Sequence, residues 1–108
     1  MITPDGIRQE LFMVGKELSK ASTAIHSLEL AAERAELEAQ ARMDSVYLTA
    51  DGSIEDRKAL ARQKALPERD KAVIAKAELN RAKMKAKHLE LEQMRLMASL
   101  KSVQMEGA

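Results

Sequence analysis

Beginning at Ile7 and stepping alternately by four and three residues, the chain places Ile7, Leu11, Val14, Leu18, Ala21, Ile25, Leu28, Ala32, Ala35, Ala39, Arg42 and Val46 on one line, and eleven of these twelve are apolar. A repeat of ~3.5 residues sustained over about six heptads is the pattern of a helix that buries one narrow seam against another helix. No other feature restricts the fold as strongly. Thr3 is placed to cap the helix start. Pro4 falls at the first helical position, where its missing N–H costs nothing. The spacing predicts a helix from about Pro4 to about Leu48, roughly 65–70 Å long.

The stretch "YLTADGSIEDRKAL", Tyr47 to Leu60, interrupts this pattern. Gly52 suits the left-handed conformation that ends helices, and Asp51 tolerates turn geometry. Ser53 is placed to accept from the N–H of Asp56, with Asp56 reaching back as in a capping box. Glu55 and Asp56 favour the positive end of the next helix dipole. A phosphate cradle would want several glycines and a lysine at the helix start. This first turn is acidic instead, so residues 49–53 read as a corner.

Beyond the corner the same stepping gives Ile54, Lys58, Ala61, Ala65, Glu68, Ala72, Ala75, Leu79, Ala82, Ala86, Leu89, Gln93, Leu96, Leu100 and Val103, a second seam with three polar breaks. Pro67 disfavours helical geometry at Leu66. The expectation is a short helix over about 54–65, a kink or break, and a long helix over about 67–104, with 105–108 frayed. A short corner makes two seams antiparallel neighbours. Positions then pair where their numbers sum to about 103, Val14 with Leu89 and Leu28 with Ala75. Stability is expected at the open end, where Ile7, Leu11, Phe12, Met13 and Val14 meet Leu89, Leu96, Met97, Leu100 and Val103. The fold class is therefore all-α: one domain, a long, coiled-coil-like antiparallel hairpin, completed to a four-helix bundle by dimerisation.

Composition agrees. Apolar residues make up 45% and charged residues 32%, and Phe12 and Tyr47 are the only aromatics, which is the balance of long helices. There are no cysteines, hence no thiolate metal site and no cysteine nucleophile. The start "MITPDGIRQE" lacks the basic-then-apolar pattern of a signal peptide, and no apolar run approaches the ~20 residues that span a bilayer. A cytoplasmic location is expected. Residues 1–50 carry 5 Lys/Arg and 8 Asp/Glu, and residues 51–108 carry 13 and 9, so the two arms attract one another when paired.

The second arm has more apolar residues than one seam uses. Val73, Ala77, Met84, Leu91, Met94, Ala98 and Met105 lie on a different face, and Ala77, Met84, Leu91, Ala98 and Met105 repeat every seven residues. The intervening Asn80, Lys87 and Lys101 are polar. The first arm has a weaker second stripe in Phe12, Leu30 and Leu37. A two-helix hairpin has nowhere to bury these, and exposed apolar stripes mark partner surfaces. These residues are the candidate interface, for self-association or for another protein.

Candidate chemistry is sparse. His26, Glu29 and Glu33 share a helix face, but the paired Glu-x-x-His pattern of di-iron bundles is missing, since no glutamate lies three residues before His88. No nucleophile motif occurs. No catalytic residue, metal ligand or cofactor is expected. The run "KAVIAKAELNRAKMKAKH" gathers Lys71, Lys76, Arg81, Lys83, Lys85, Lys87 and His88 around the single acid Glu78. Lys76, Lys83 and Lys87 fall on one side and are the candidate nucleic-acid contacts. Arg81 and Lys85 fall elsewhere, and no aromatic stands ready to stack on bases. A solvated face beside an acidic helix is the favoured reading of the run.

The block "ARMDSVYLTADGSIEDRKALA", with its tyrosine, DG-type corner and "RKA" stretch, and the tail "EQMRLMASLKSVQMEGA" resemble small helical proteins encoded by tailed bacteriophages, often near recombination or replication genes. The resemblance covers roughly residues 30–108. It implies a bacterial host cytosol and transfers no catalytic or binding residue. The function expected is that of a non-catalytic adaptor or inhibitor acting on another protein. The alternative is an accessory nucleic-acid factor.

Overall fold

The computed structural model describes residues 3–106. They form three helices and, among the described residues, no strand: α1 over Pro4–Thr49, α2 over Ile54–Lys64 and α3 over Leu66–Glu106. In the order of the chain α1 goes out and α2 with α3 returns, an all-α helical hairpin. The helices form two compact units, residues 26–80 around the corner and residues 3–25 with 81–106 at the termini.

The ends of the helices are set by local chemistry. Thr3 Oγ1 accepts from Gly6 N at 3.0 Å, satisfying one of the orphan donors of the first turn. Gly6 suits that cap, because a Cβ there would stand 3.1 Å from the capping oxygen. At the corner Gly52 has φ +110°, a conformation that L side chains resist. Ser53 then caps α2, its Oγ accepting from Asp56 N at 3.1 Å.

One corner contact was not foreseen. Arg57 donates from Nε and from an Nη to the carbonyl of Tyr47, at 3.1 and 2.8 Å, and its guanidinium lies 4.4 Å from the centre of the Tyr47 ring. A carbonyl left over at the end of α1 thus receives a charged donor from α2.

Between α2 and α3 the break falls at Ala65, not at Leu66. Ala65 N donates to Ala61 O and Ala65 O accepts from Arg69 N, so Ala65 closes one helix and opens the next. Leu66 is already helical, and Pro67 occupies the first turn of α3, where a missing N–H is tolerated. At the far end α3 continues through Glu106. Met105 and Glu106 are therefore helical where fraying was expected, while 107 and 108 lie outside the described residues.

In the corner unit the seam is made of alanine: Ala32, Ala39, Ala61 and Ala65 are buried, with Leu79. Arg42, the polar position of the first seam, is exposed, and Met43 is half-buried in its place. A step of four in place of three returns the pattern toward the true helical period of ~3.6. Likewise Lys58 is exposed and Arg57 half-buried. The expected register holds at the corner, where Arg57 meets Tyr47. It does not hold just beyond Ala65, within the corner unit. There Lys76 Nζ pairs with Glu36 Oε1 at 3.3 Å, about nine positions beyond the register that would set Leu28 against Ala75, or about 13 Å of helix rise. The bent segment between these two contacts therefore advances less along α1 than a straight helix would.

In the terminal unit Ile7 and Leu96 are the buried residues, and both line one groove with Thr3, Glu10, Arg95 and Ser99, close to the expected register. Leu11, Val14, Leu18, Leu89, Leu100 and Val103 are half-buried. Phe12, Met13 and Met97, expected to add to this end, are exposed. Phe12 and Met97 each directly follow a seam residue, and one step of ~100° around a helix turns a side chain off the seam.

Candidate functional site: the outer faces of the helices

A heptad seam of two helices covers one line on each, and the face opposite depends on what else is available. On α3, Met84 is 63% exposed, Leu91 54% and Met94 65%, and Met105 and Ala98 continue the same exposed line within the terminal unit. Val73 and Ala77 are also exposed, in the corner unit. Phe12 of α1 is 66% exposed in the terminal unit, with the Lys16 ammonium 5.2 Å from its ring centre. Each candidate interface residue read from the sequence is thus on the surface. Among the described residues, fourteen large apolar side chains are exposed against three that are buried, Ile7, Leu79 and Leu96. Scattered single residues of this kind need no explanation, but a contiguous row does.

Three apolar positions expected to add to the open end belong to the surface instead, Phe12, Met13 and Met97. Met13 and Phe12 edge an open groove of about 870 Å³, whose other lining includes Val14, Glu92, Arg95 and Leu96. Arg95 and Glu92 form an ion pair one turn apart. The hydrogen bond from Arg95 holds the Glu92 carboxyl below the usual carboxylate range, against a smaller opposing effect of burial. The same bond, with the charge of Glu92 and then of Glu10, holds the Arg95 guanidinium above its ordinary value. The helical wheel carried the signal for both methionines, since each lies well off the seam line.

On α1, Leu30 and Leu37 are 54% and 65% exposed in the corner unit. They stand seven residues apart, as Met84 and Leu91 do on α3. Glu33 and Arg34 lie between the two leucines, and Lys87 and His88 between Met84 and Leu91. All four of these polar residues are exposed.

The basic run is not gathered into one free patch. Lys76 is held by Glu36 of α1, and Lys83, though exposed, is engaged in an interaction of its own. Lys87 is exposed. His26 and His88 are exposed too. Among the described residues, no group of three or more His, Asp or Glu is placed to hold a metal ion, and no helix is long and apolar enough to cross a membrane. On Glu68, a seam residue, Oε2 is shielded from solvent and has no hydrogen-bond partner. What these faces offer chemically is apolar contact bordered by charge.

No family model, curated protein or solved structure matches the chain.

Proposed function

We propose that this protein is a non-catalytic helical interaction protein. It self-associates, in the simplest case as a dimer, and serves as an adaptor or inhibitor of another protein in the bacterial cytosol, as the resemblance to small phage proteins implies. One observation carries this reading: Met84, Leu91, Met94, Ala98 and Met105 form an exposed row on α3, opposite a seam that the hairpin already fills. Burying a side chain of this size contributes ~1.5–3 kcal/mol. Methionine adapts its shape to the surface it meets, which suits such contacts. In the nucleic-acid alternative Lys76 would exchange its exposed pairing with Glu36 for a phosphate.

The test is the double variant Met84→Glu with Leu91→Glu. Glutamate is a good helix former, so the circular dichroism of the helices should be retained. A charge placed in an apolar interface costs several kcal/mol (roughly 3–5), so the mass in light scattering should fall to that of one chain. Retention of the parent's mass would show that α3 does not make the contact. Submicromolar, steeply salt-dependent DNA binding by the parent, abolished by changing Lys76, Lys83 and Lys87 to Gln, would favour the alternative.

A further inference from the structure

The self-association proposed above leaves open which surface meets the Met84/Leu91 row, and the charges beside it narrow the choice. Two helices packed antiparallel bring matching flanks together, as e meets e and g meets g in antiparallel coiled coils. If Met84 and Leu91 packed against the same pair of a second copy in this way, the two Lys87 side chains would face each other at the centre of the contact. Like charges so placed oppose association. In the parallel arrangement Lys87 would lie beside His88, with no acid to answer it.

The Leu30/Leu37 pair of α1 has the same seven-residue spacing and the opposite charge on the corresponding flank. Glu33 stands between Leu30 and Leu37 on the side where Lys87 stands between Met84 and Leu91. Set antiparallel, Leu30 meets Leu91 and Leu37 meets Met84, and Glu33 then falls opposite Lys87. The other flank places Arg34 against His88, which brings no opposite charge. From this we infer that the contact is between unlike faces: the Met84/Leu91 face of one copy receives the Leu30/Leu37 face of a second copy, antiparallel, with Glu33 beside Lys87.

This inference rests on the self-association reading, and it makes a prediction that the bare reading does not. A contact between unlike faces makes both faces necessary: it closes as a two-fold pair where each copy gives both faces at once, and otherwise runs on to a ring or a filament. Two variants separate the faces. Leu30→Glu with Leu37→Glu spoils the α1 face, and Met84→Glu with Leu91→Glu spoils the α3 face. All four positions are exposed, so the helices should survive, as circular dichroism would check.

Each double variant alone should run as a single chain of 12.0 kDa. Mixed in equal amounts, they should form a one-to-one pair that grows no further, because each supplies the face the other lacks. Within that pair, Lys87→Glu on the chain with the intact α3 face should weaken association at least tenfold. Glu33→Lys on the other chain should restore most of it. Should Leu30→Glu/Leu37→Glu keep the parent's mass while Met84→Glu/Leu91→Glu loses it, the α3 face meets itself or something else, and the inference is overturned while the self-association reading stands. Failure of the mixture to pair would overturn it equally. A parent that is a single chain at every concentration would remove the underlying reading, and a foreign acidic amphipathic helix would become the occupant to seek.

Discussion

In residues 26–80 the helices meet through alanine: Ala32, Ala39, Ala61 and Ala65 are buried, and Leu79 is the one large side chain among them. In residues 3–25 with 81–106 the buried residues are Ile7 and Leu96, flanked by half-buried Leu11, Val14, Leu89 and Leu100. The first arrangement lets two backbones approach closely but removes little area from water per residue. The second removes more area per residue, yet few of its side chains are fully covered. Hydrophobic stabilisation follows the area buried, at ~25 cal/mol per Å². The corner unit is therefore specified by fit and by its turn, and the terminal unit by aliphatic burial. In neither unit, among the described residues, is any large side chain less than 2% exposed.

Substitutions should separate these two modes. The largest effect is expected from Leu96→Ala, since a buried leucine truncated to alanine loses its transfer energy and leaves a cavity. A loss of about 2–4 kcal/mol in chemical denaturation is predicted, with hydrogen exchange accelerated in residues 3–25 and 81–106. Next is Ala39→Leu in the corner unit. A seam that depends on close approach should lose about 1–3 kcal/mol to the added bulk, and a stabilising outcome would mean that the alanine seam is underfilled and not fitted. The smallest is Gly52→Val. A β-branched residue at φ +110° should cost about 1–2 kcal/mol, with association of the outer faces unchanged. Lost association at an unchanged melting temperature would show that the corner takes part in binding.

Much of this architecture was legible before any coordinates. The α1 seam from Ile7 to Ala39, the Thr3 and Ser53 caps and the left-handed Gly52 follow from residue type and spacing alone. The sequence was less informative wherever the answer depended on a partner helix. Arg57 sits ten residues from the carbonyl it caps, so its role exists only once the corner has brought α2 back to α1. Pro67 announces a break but not its position, because proline is as comfortable within the first turn of a new helix as after the end of an old one. Phe12, Met13 and Met97 were counted toward the open end by their hydrophobicity, although the helical period turns them away from the seam. The candidate site divides in the same way. The heptad row on α3 is a property of spacing and was visible. Its match to Leu30 and Leu37 rests on exposure and flanking charge, which become clear only when both faces are seen uncovered.

If the outer face of α3 is an interface and not a solvated surface, the mass of the unmodified protein in solution will show it, measured by multi-angle light scattering or sedimentation equilibrium over a wide concentration range. Association through the outer faces should give at least about twice 12.0 kDa at the higher concentrations, falling toward the mass of one chain on dilution. A mass of 12.0 kDa that stays constant up to the highest concentration reached would contradict it.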